Sequence, residues 1–217
     1  MITDIAAGKR LIIDTCIRLS DKGYLAGTGG NIALRLGDGH ILVTPSATDY
    51  YTMRPENVAV LRLDTLEQVD GDKPSSVERG LHACLLRAKP GFDATIHTHQ
   101  PVASAAALLH RAIPVTEAGD RELLGPEIAV VSYWPSGTGL LLKALARVVR
   151  SEIHAYVMAS HGVICAGATM ETAIQALTRL EAAAAAFLAE QIRRGTRLTE
   201  PVRTLALDAL ETASSKE

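Results

Sequence analysis

The sequence lacks an excess of charge of either sign: 22 Lys and Arg stand against 24 Asp and Glu, a formal net charge of −2. Without a basic stripe it is a poor match to a nucleic-acid groove or an anionic membrane surface, so small-molecule or protein partners are expected. Cysteine is scarce. Cys16, Cys84 and Cys165 are an odd number, far apart and in apolar surroundings, which argues against a disulfide framework or a CxxC metal site and fits a reducing cytoplasm. No stretch is long and apolar enough to span a bilayer. Asp4, Lys9, Arg10 and Asp14 interrupt the N-terminal segment, which is therefore unlike a signal peptide. There is no repeat of solenoid period and no composition break that marks a linker, so one domain over residues 1–217 is expected.

What is present is an alternation of helical and strand-like periods. Ile5, Leu11, Ile12, Cys16 and Leu19 recur at helical intervals and Gly23 follows as a stop. The runs 31–36 and 40–44, joined through Gly37-Asp38-Gly39, read as a hairpin, and 58–64 as a further strand. A helix is predicted over 76–89, opened by Pro74 with Ser75 and Ser76 as caps, then a buried strand over 93–99. Residues 102–110 read as a helix, 128–134 as a strand, 139–149 as a helix, 154–160 with 163–165 as a strand pair, and 170–195 as a long closing helix ended by Gly195. The last fourteen residues are expected to fray into a polar tail. This mixture predicts an α/β layered fold with a mostly antiparallel sheet between helices.

His97 and His99 lie two residues apart on the predicted buried strand, so both side chains point to the same face. Imidazoles placed together in this way can share a divalent metal, and a catalytic site adds a third protein ligand and keeps one position open. His161, at the end of an apolar strand and beside Gly162, is the strongest third histidine. Glu78, on the helix before that strand, is a ligand, a general base, or a solvated helix carboxylate. His82, one turn later, shares its face and is also readable as polar packing.

The stretch Gly27-Thr28-Gly29-Gly30-Asn31 either forms an anion-binding nest or is a flexible turn. The hydroxyl-rich runs Thr44–Thr48 and Lys73–Ser76 also suit a phosphate. Three such loops beside a metal site point to a phosphorylated substrate.

Taken in order, Gly27–Asn31, Thr44-Pro45-Ser46, Pro74–Glu78, His97–Pro101 and Ser160–Gly162 resemble the motifs of the class II aldolase/adducin family over almost the whole chain. The resemblance implies a three-layer fold, a nine-stranded, mainly antiparallel sheet flanked by helices, assembled as a homotetramer with sites near subunit interfaces. It implies His97, His99 and His161 as ligands of Zn2+, with Mn2+, Co2+ or Fe2+ also acceptable to three histidines. Glu78 is implied as acid/base and as a metal ligand when substrate is absent. Thr28, Gly30, Asn31, Ser46, Ser75 and Ser76 are implied at the phosphate site.

Two departures stand out. Val77 is inserted between the serine pair and Glu78, which displaces Ser75 or Ser76 from the phosphate. The run after Ile113-Pro114 carries Glu117 where fuculose-type members have a tyrosine, so Glu117 and Tyr133 are the candidates for a second proton donor.

The implied activity is cleavage of a ketose 1-phosphate, of the 5-deoxyribulose, 5-methylthioribulose or fuculose type, to dihydroxyacetone phosphate and an aldehyde. The competing expectations are methylthioribulose-1-phosphate dehydratase, phosphorylated 3-oxo acid decarboxylase, ribulose-5-phosphate epimerase, and a non-enzymatic adducin-like binding module.

Overall fold

The computed structural model describes residues 3–195 and 198–214. The chain opens with α1 (Ile5–Asp21), capped by the Asp4 carboxylate, which accepts from the Ala7 N–H; Ile12, Cys16 and Leu19 form its buried stripe. Strands β1 (Asn31–Arg35) and β2 (His40–Val43) form the predicted hairpin, followed by β3 (Ala59–Arg62) and β4 (Gln68–Asp70). Helix α2 (Arg79–Ala88), strand β5 (Ala94–Thr98), helix α3 (Pro101–Ala107), strand β6 (Ile113–Pro114), helix α4 (Ala118–Leu124), strand β7 (Glu127–Val131) and helix α5 (Gly139–Val148) come next. Strands β8 (Ala155–Met158) and β9 (Gly162–Gly167) precede α6 (Met170–Arg194) and α7 (Glu200–Ser214).

The strands form one nine-stranded sheet in the order β4-β3-β2-β1-β5-β9-β8-β7-β6. Every neighbouring pair is antiparallel except β7 and β8, which run parallel. This is the expected mainly antiparallel α/β architecture. Alternation along the strands splits the core in two. Ile32, Leu34, Ile96, Val163 and Cys165 face α1, α3 and α6. Ala33, Ile41 and Leu61 face α2 on the other side, where Tyr156, Met158 and Ile164 pack with α2 and α5. Burial pushes the Cys16 and Cys165 thiols far above their ordinary range, so both behave as core side chains.

Four expectations are corrected. The helix expected from residue 76 begins at Arg79, with Glu78 at its N-cap position and no side-chain cap. Ser75 instead bridges Pro45 in a short antiparallel contact, and the Ser76 hydroxyl accepts from the Glu78 N–H, so residues 74–77 belong to a loop. The strand expected over 128–134 ends at Val131, leaving Tyr133 outside it. The tail expected to fray is helix α7 up to Ser214, its Leu210 resting against the core; residues 215–217 lie outside the described residues. Strands β4 and β6 and helix α4 were not expected at all.

Helix α6 also anchors the segment after β5. The buried Glu181 carboxylate accepts from the Val102 and Ala103 N–H groups at 2.7 and 2.8 Å, two of the otherwise unpaired donors that open α3. Gln100 Nε2 donates to the Leu177 carbonyl at 3.0 Å while its Oε1 accepts from Thr98 Oγ1. Glu181→Ala strips both buried N–H groups of their acceptor. Urea unfolding should show a loss of about 3 kcal/mol, against less than about 1 kcal/mol for a change at an exposed glutamate such as Glu190.

Candidate metal centre and active-site cleft

Register places the histidines. His97 is a β5 residue directly opposite Asn31 on β1 and Ile164 on β9, and its side chain emerges on the α2 side of the sheet. His99 follows two residues later, just past the strand end. His161 sits in the short turn between β8 and β9, where Ser160 takes a left-handed φ of 53°. Gly162 is required by close approach rather than by a sharp exit: a Cβ there would lie 2.5 Å from both His99 Cδ2 and the Thr98 carbonyl oxygen.

The three rings converge. Their centroids are 4.7, 4.9 and 5.2 Å apart, and one nitrogen of each lies within 4.8 Å of the others. His97 Nδ1 lies 2.7 Å from the Val163 carbonyl and must donate to it, so Nε2 carries the lone pair. That lone pair points at His99 Nε2, 3.0 Å away. Glu78 Oε2 lies 3.3 Å from His97 Nε2, and Oε1 lies 3.4 Å from His161 Nε2. His161 Nδ1 is buried without a hydrogen-bond partner among the described residues. Lone pairs and carboxylate oxygens aimed at one point repel unless a cation or proton lies between them, so three imidazoles and one carboxylate fit a divalent metal.

The electrostatics agree. Burial pushes His97 down to about 3, with His99 and His161 acting in the same direction and Glu78 opposing; burial also lowers His99. Both rings are thus neutral, the form a metal ligand requires. Burial pushes the Glu78 carboxyl up, but His97, hydrogen bonds from Asn31 and Ser136, and His161 outweigh it and bring it below the usual carboxylate range. At neutral pH His97 is uncharged and its contribution lapses, whereas the pair of hydrogen bonds persists, Asn31 Nδ2 to Oε2 at 2.8 Å and Ser136 Oγ to Oε1 at 2.7 Å.

A cleft of about 190 Å³ opens over the cluster, lined by Thr28, Gly29, Gly30, Asn31, Pro45, Ser46, Ala47, Ser76, Val77, Glu78, His99, Ser136 and His161. Five of the six predicted phosphate-site residues are therefore brought together. The sixth, Ser75, is buried and its N–H donates to Gln68 Oε1, which agrees with the inserted Val77 displacing one serine of the pair. Gly30 has φ of +87°, and a Cβ there would lie 2.7 Å from the His97 carbonyl oxygen, so the loop passes too close to β5 for any side chain. Tyr50 pins that loop through its hydroxyl, which lies 2.6 Å from the Gly30 carbonyl and 3.2 Å from that of Gly29.

Glu117 and Tyr133 are not brought to the cluster. Glu117 is exposed at the N-cap of α4 and lines a separate cleft of about 340 Å³ against α6, with Asp120, Arg179 and Phe187. Tyr133 is 56% exposed, neither buried on a core strand nor part of the histidine cleft. Sequence reasoning missed Ser136, which lies in a glycine- and proline-flanked run, and Tyr50, whose role depends on a tertiary contact. It also missed that His82 is fully buried, with Nε2 2.5 Å from Asn31 Oδ1 and Nδ1 2.8 Å from Thr95 Oγ1.

Burial holds His82 down to about 4 against an ordinary 6.5. Below pH 6.5 the unfolded chain binds a proton at this residue that the folded chain refuses. The associated stability is complete above pH 6.5 and is lost progressively as pH falls toward 4. At pH 5 His82 alone is expected to cost about 2 kcal/mol. Urea midpoints at pH 7 and pH 5 should therefore diverge more for the native chain than for His82→Gln, which cannot take up the proton.

Comparison with known proteins adds an independent line. Residues 10–188 match the sequence profile described as the class II aldolase and adducin N-terminal domain. A 5-methylthioribulose-1-phosphate/5-deoxyribulose-1-phosphate aldolase of Rhodospirillum rubrum is 31% identical over 206 residues, covering 94% of this chain and 88% of that protein. A 5-deoxy-D-ribulose 1-phosphate aldolase of Bacillus thuringiensis is 28% identical over 213 residues, covering 98% and 92%. Among solved structures, an L-fuculose 1-phosphate aldolase superposes with a TM-score of 0.78 at 21% identity, covering 96% of this chain and 94% of that one, a likeness of fold. Among the described residues no helix is long and apolar enough to cross a membrane.

Proposed function

The chain belongs to the class II aldolase and adducin family, and from that premise we propose that it is a metal-dependent aldolase cleaving a ketose 1-phosphate to dihydroxyacetone phosphate and an aldehyde. The observation that carries this is the convergence of His97, His99, His161 and Glu78 at the floor of a cleft whose rim is a glycine loop and hydroxyl side chains. The two relatives named for 5-deoxyribulose 1-phosphate chemistry match nearly the whole chain, which favours a substrate with a deoxy or thioether tail. Zinc is the proposed metal, since three imidazoles with an open position are its usual catalytic set. The proposal includes one domain over residues 1–217 and a homotetramer, the assembly through which Glu117 or Tyr133 of a neighbouring copy reaches the cleft.

The ion would be held by His97, His99 and His161, and when bound it supplies Lewis acidity toward the oxygens of the ketose. The Gly27–Asn31 loop, Ser46 and Ser76 bind the phosphate with backbone N–H and hydroxyl donors, placing the sugar carbons over Glu78. The Glu78 carboxylate removes a proton from the carbon next to the carbonyl in the condensation direction. By microscopic reversibility it returns that proton when the C–C bond breaks, while the hydroxyl on the departing aldehyde carbon gives up its proton to Glu117 or Tyr133 of the neighbouring copy. Asn31 and Ser136, one on each carboxylate oxygen, fix the plane in which it works.

Coupled detection of dihydroxyacetone phosphate tests the proposal on metal-loaded protein given 5-deoxyribulose, 5-methylthioribulose, fuculose and ribulose 1-phosphates. The expected result is release from the first two at the highest kcat/KM, abolished by a chelator and restored by Zn2+. Consumption of substrate by loss of water or change of configuration, with no dihydroxyacetone phosphate, would move the reaction to a dehydratase or epimerase.

A further inference from the structure

We propose that His82, acting through the side-chain amide of Asn31, is a positioning residue that sets the orientation of the Glu78 carboxylate; this rests on the reading of Glu78 as the acid/base. The direction of each hydrogen bond follows from the end of the chain. Glu78 Oε2 can only accept, so the group 2.8 Å away must be the Asn31 amide N–H rather than its oxygen. That fixes Asn31 Oδ1 toward His82, and His82 Nε2, 2.5 Å from it, must carry the hydrogen. His82 Nδ1 then holds a lone pair and accepts from the Thr95 hydroxyl at 2.8 Å. The four groups form a one-way relay, Thr95 to His82 to Asn31 to Glu78, in which each donor has one acceptor.

Its placement is dictated by secondary structure. His82 lies one helical turn beyond Glu78, so both face the sheet from the same side of the helix start. Asn31 stands opposite His97 on the neighbouring strand, so the amide and the metal-facing ring emerge side by side. All members are shielded: His82 and Thr95 are fully buried, and Asn31 and Glu78 are each 6% exposed. His82 and Thr95 are closed to solvent, so an unpaired Asn31 amide oxygen turned toward them would be costly. With His82 replaced by an apolar side chain, Asn31 Oδ1 loses its donor and the amide is free to turn its oxygen toward the carboxylate. Of the two hydrogen bonds that fix the Glu78 carboxylate, only that from Ser136, which comes from an exposed run, would then remain, and one such tether leaves its plane undefined.

The test compares metal-loaded His82→Leu, His82→Gln and Glu78→Gln with the native enzyme, with circular dichroism and metal content measured on each. His82→Leu is expected to keep its metal and lower kcat by about 10–100-fold with KM changed less than about threefold. His82→Gln, which retains an amide donor at the Nε2 position, is expected to recover most of that loss. A folded His82→Leu enzyme with native kcat, beside an inactive Glu78→Gln, overturns the relay and leaves the acid/base reading standing; a fully active Glu78→Gln removes both. Should His82→Leu fail to fold, 15N NMR of the native protein decides. The relay requires a neutral His82 with its hydrogen on Nε2, and a hydrogen on Nδ1 overturns it.

Discussion

Glu78→Gln is expected to leave the fold and the metal in place while lowering kcat for ketose 1-phosphate cleavage by about 10²–10⁴-fold, the range lost with a positioned general base. The substitution is nearly isosteric. It keeps an acceptor toward Asn31 or Ser136 but removes the group that can take up and return a proton at carbon. Because the three imidazoles are held independently, by the β5 strand and the β8–β9 turn, metal content measured by elemental analysis should stay near one ion per chain. KM should change little, since the proposed phosphate contacts are the glycine loop and the hydroxyls rather than this carboxylate. A fully active Glu78→Gln enzyme would take the residue out of the mechanism.

His97→Ala is expected to have the larger effect, losing bound metal and activity together to the assay floor. His97 is the most constrained of the proposed ligands: its ring is fully buried, Nδ1 is committed to Val163, and Nε2 faces both His99 and Glu78. A three-ligand site reduced to two loses affinity as well as geometry, and the Val163 carbonyl is left without its donor. Elemental analysis after gel filtration and the coupled assay read the two losses separately. Full activity with native metal content would exclude His97 as a ligand. The same measurements on His40→Ala, whose ring pairs with Asp38 at the β1–β2 turn, should match the native protein.

The convergence of His97 and His99 was legible in the sequence because strand periodicity is strict: two histidines at i and i+2 in an apolar run must share a face. The hairpin after Asn31 was legible because Gly39, at φ +84°, is where the turn demands a residue free to adopt it. Elements without an apolar pattern of their own were not. Gln68-Val69-Asp70 is exposed at all three positions, and Ile113-Pro114 is two residues long, so neither strand carries a periodic signal.

Helix α7 went unread because none of its residues is buried and its composition resembles a solvated tail. Glu78 was assigned to a helix because a capping serine two or three residues upstream is the common arrangement. Here the Ser75 backbone is drawn to Pro45 instead, which delays the helix until Arg79. The relay behind Glu78 was invisible for a different reason. Asn31, His82 and Thr95 are separated by 51 and 13 residues, and only the sheet register brings them together.

The strands at the two ends of the sheet carry a consequence for how copies of this protein can associate. An open sheet with a long bare margin invites another chain to continue its ladder. Here one margin is the three-residue β4, with Asp70 tied to Lys9 of α1 by a 2.7 Å ion pair. The other is β6, two residues long, one of them a proline without an N–H to offer. Neither can template a tenth strand, so lateral growth into fibres is blocked at both ends by the lengths and residue types of these strands. Any homotetramer must therefore be built from helix and loop surfaces, which leaves the register that aligns Asn31 with His97 untouched by assembly.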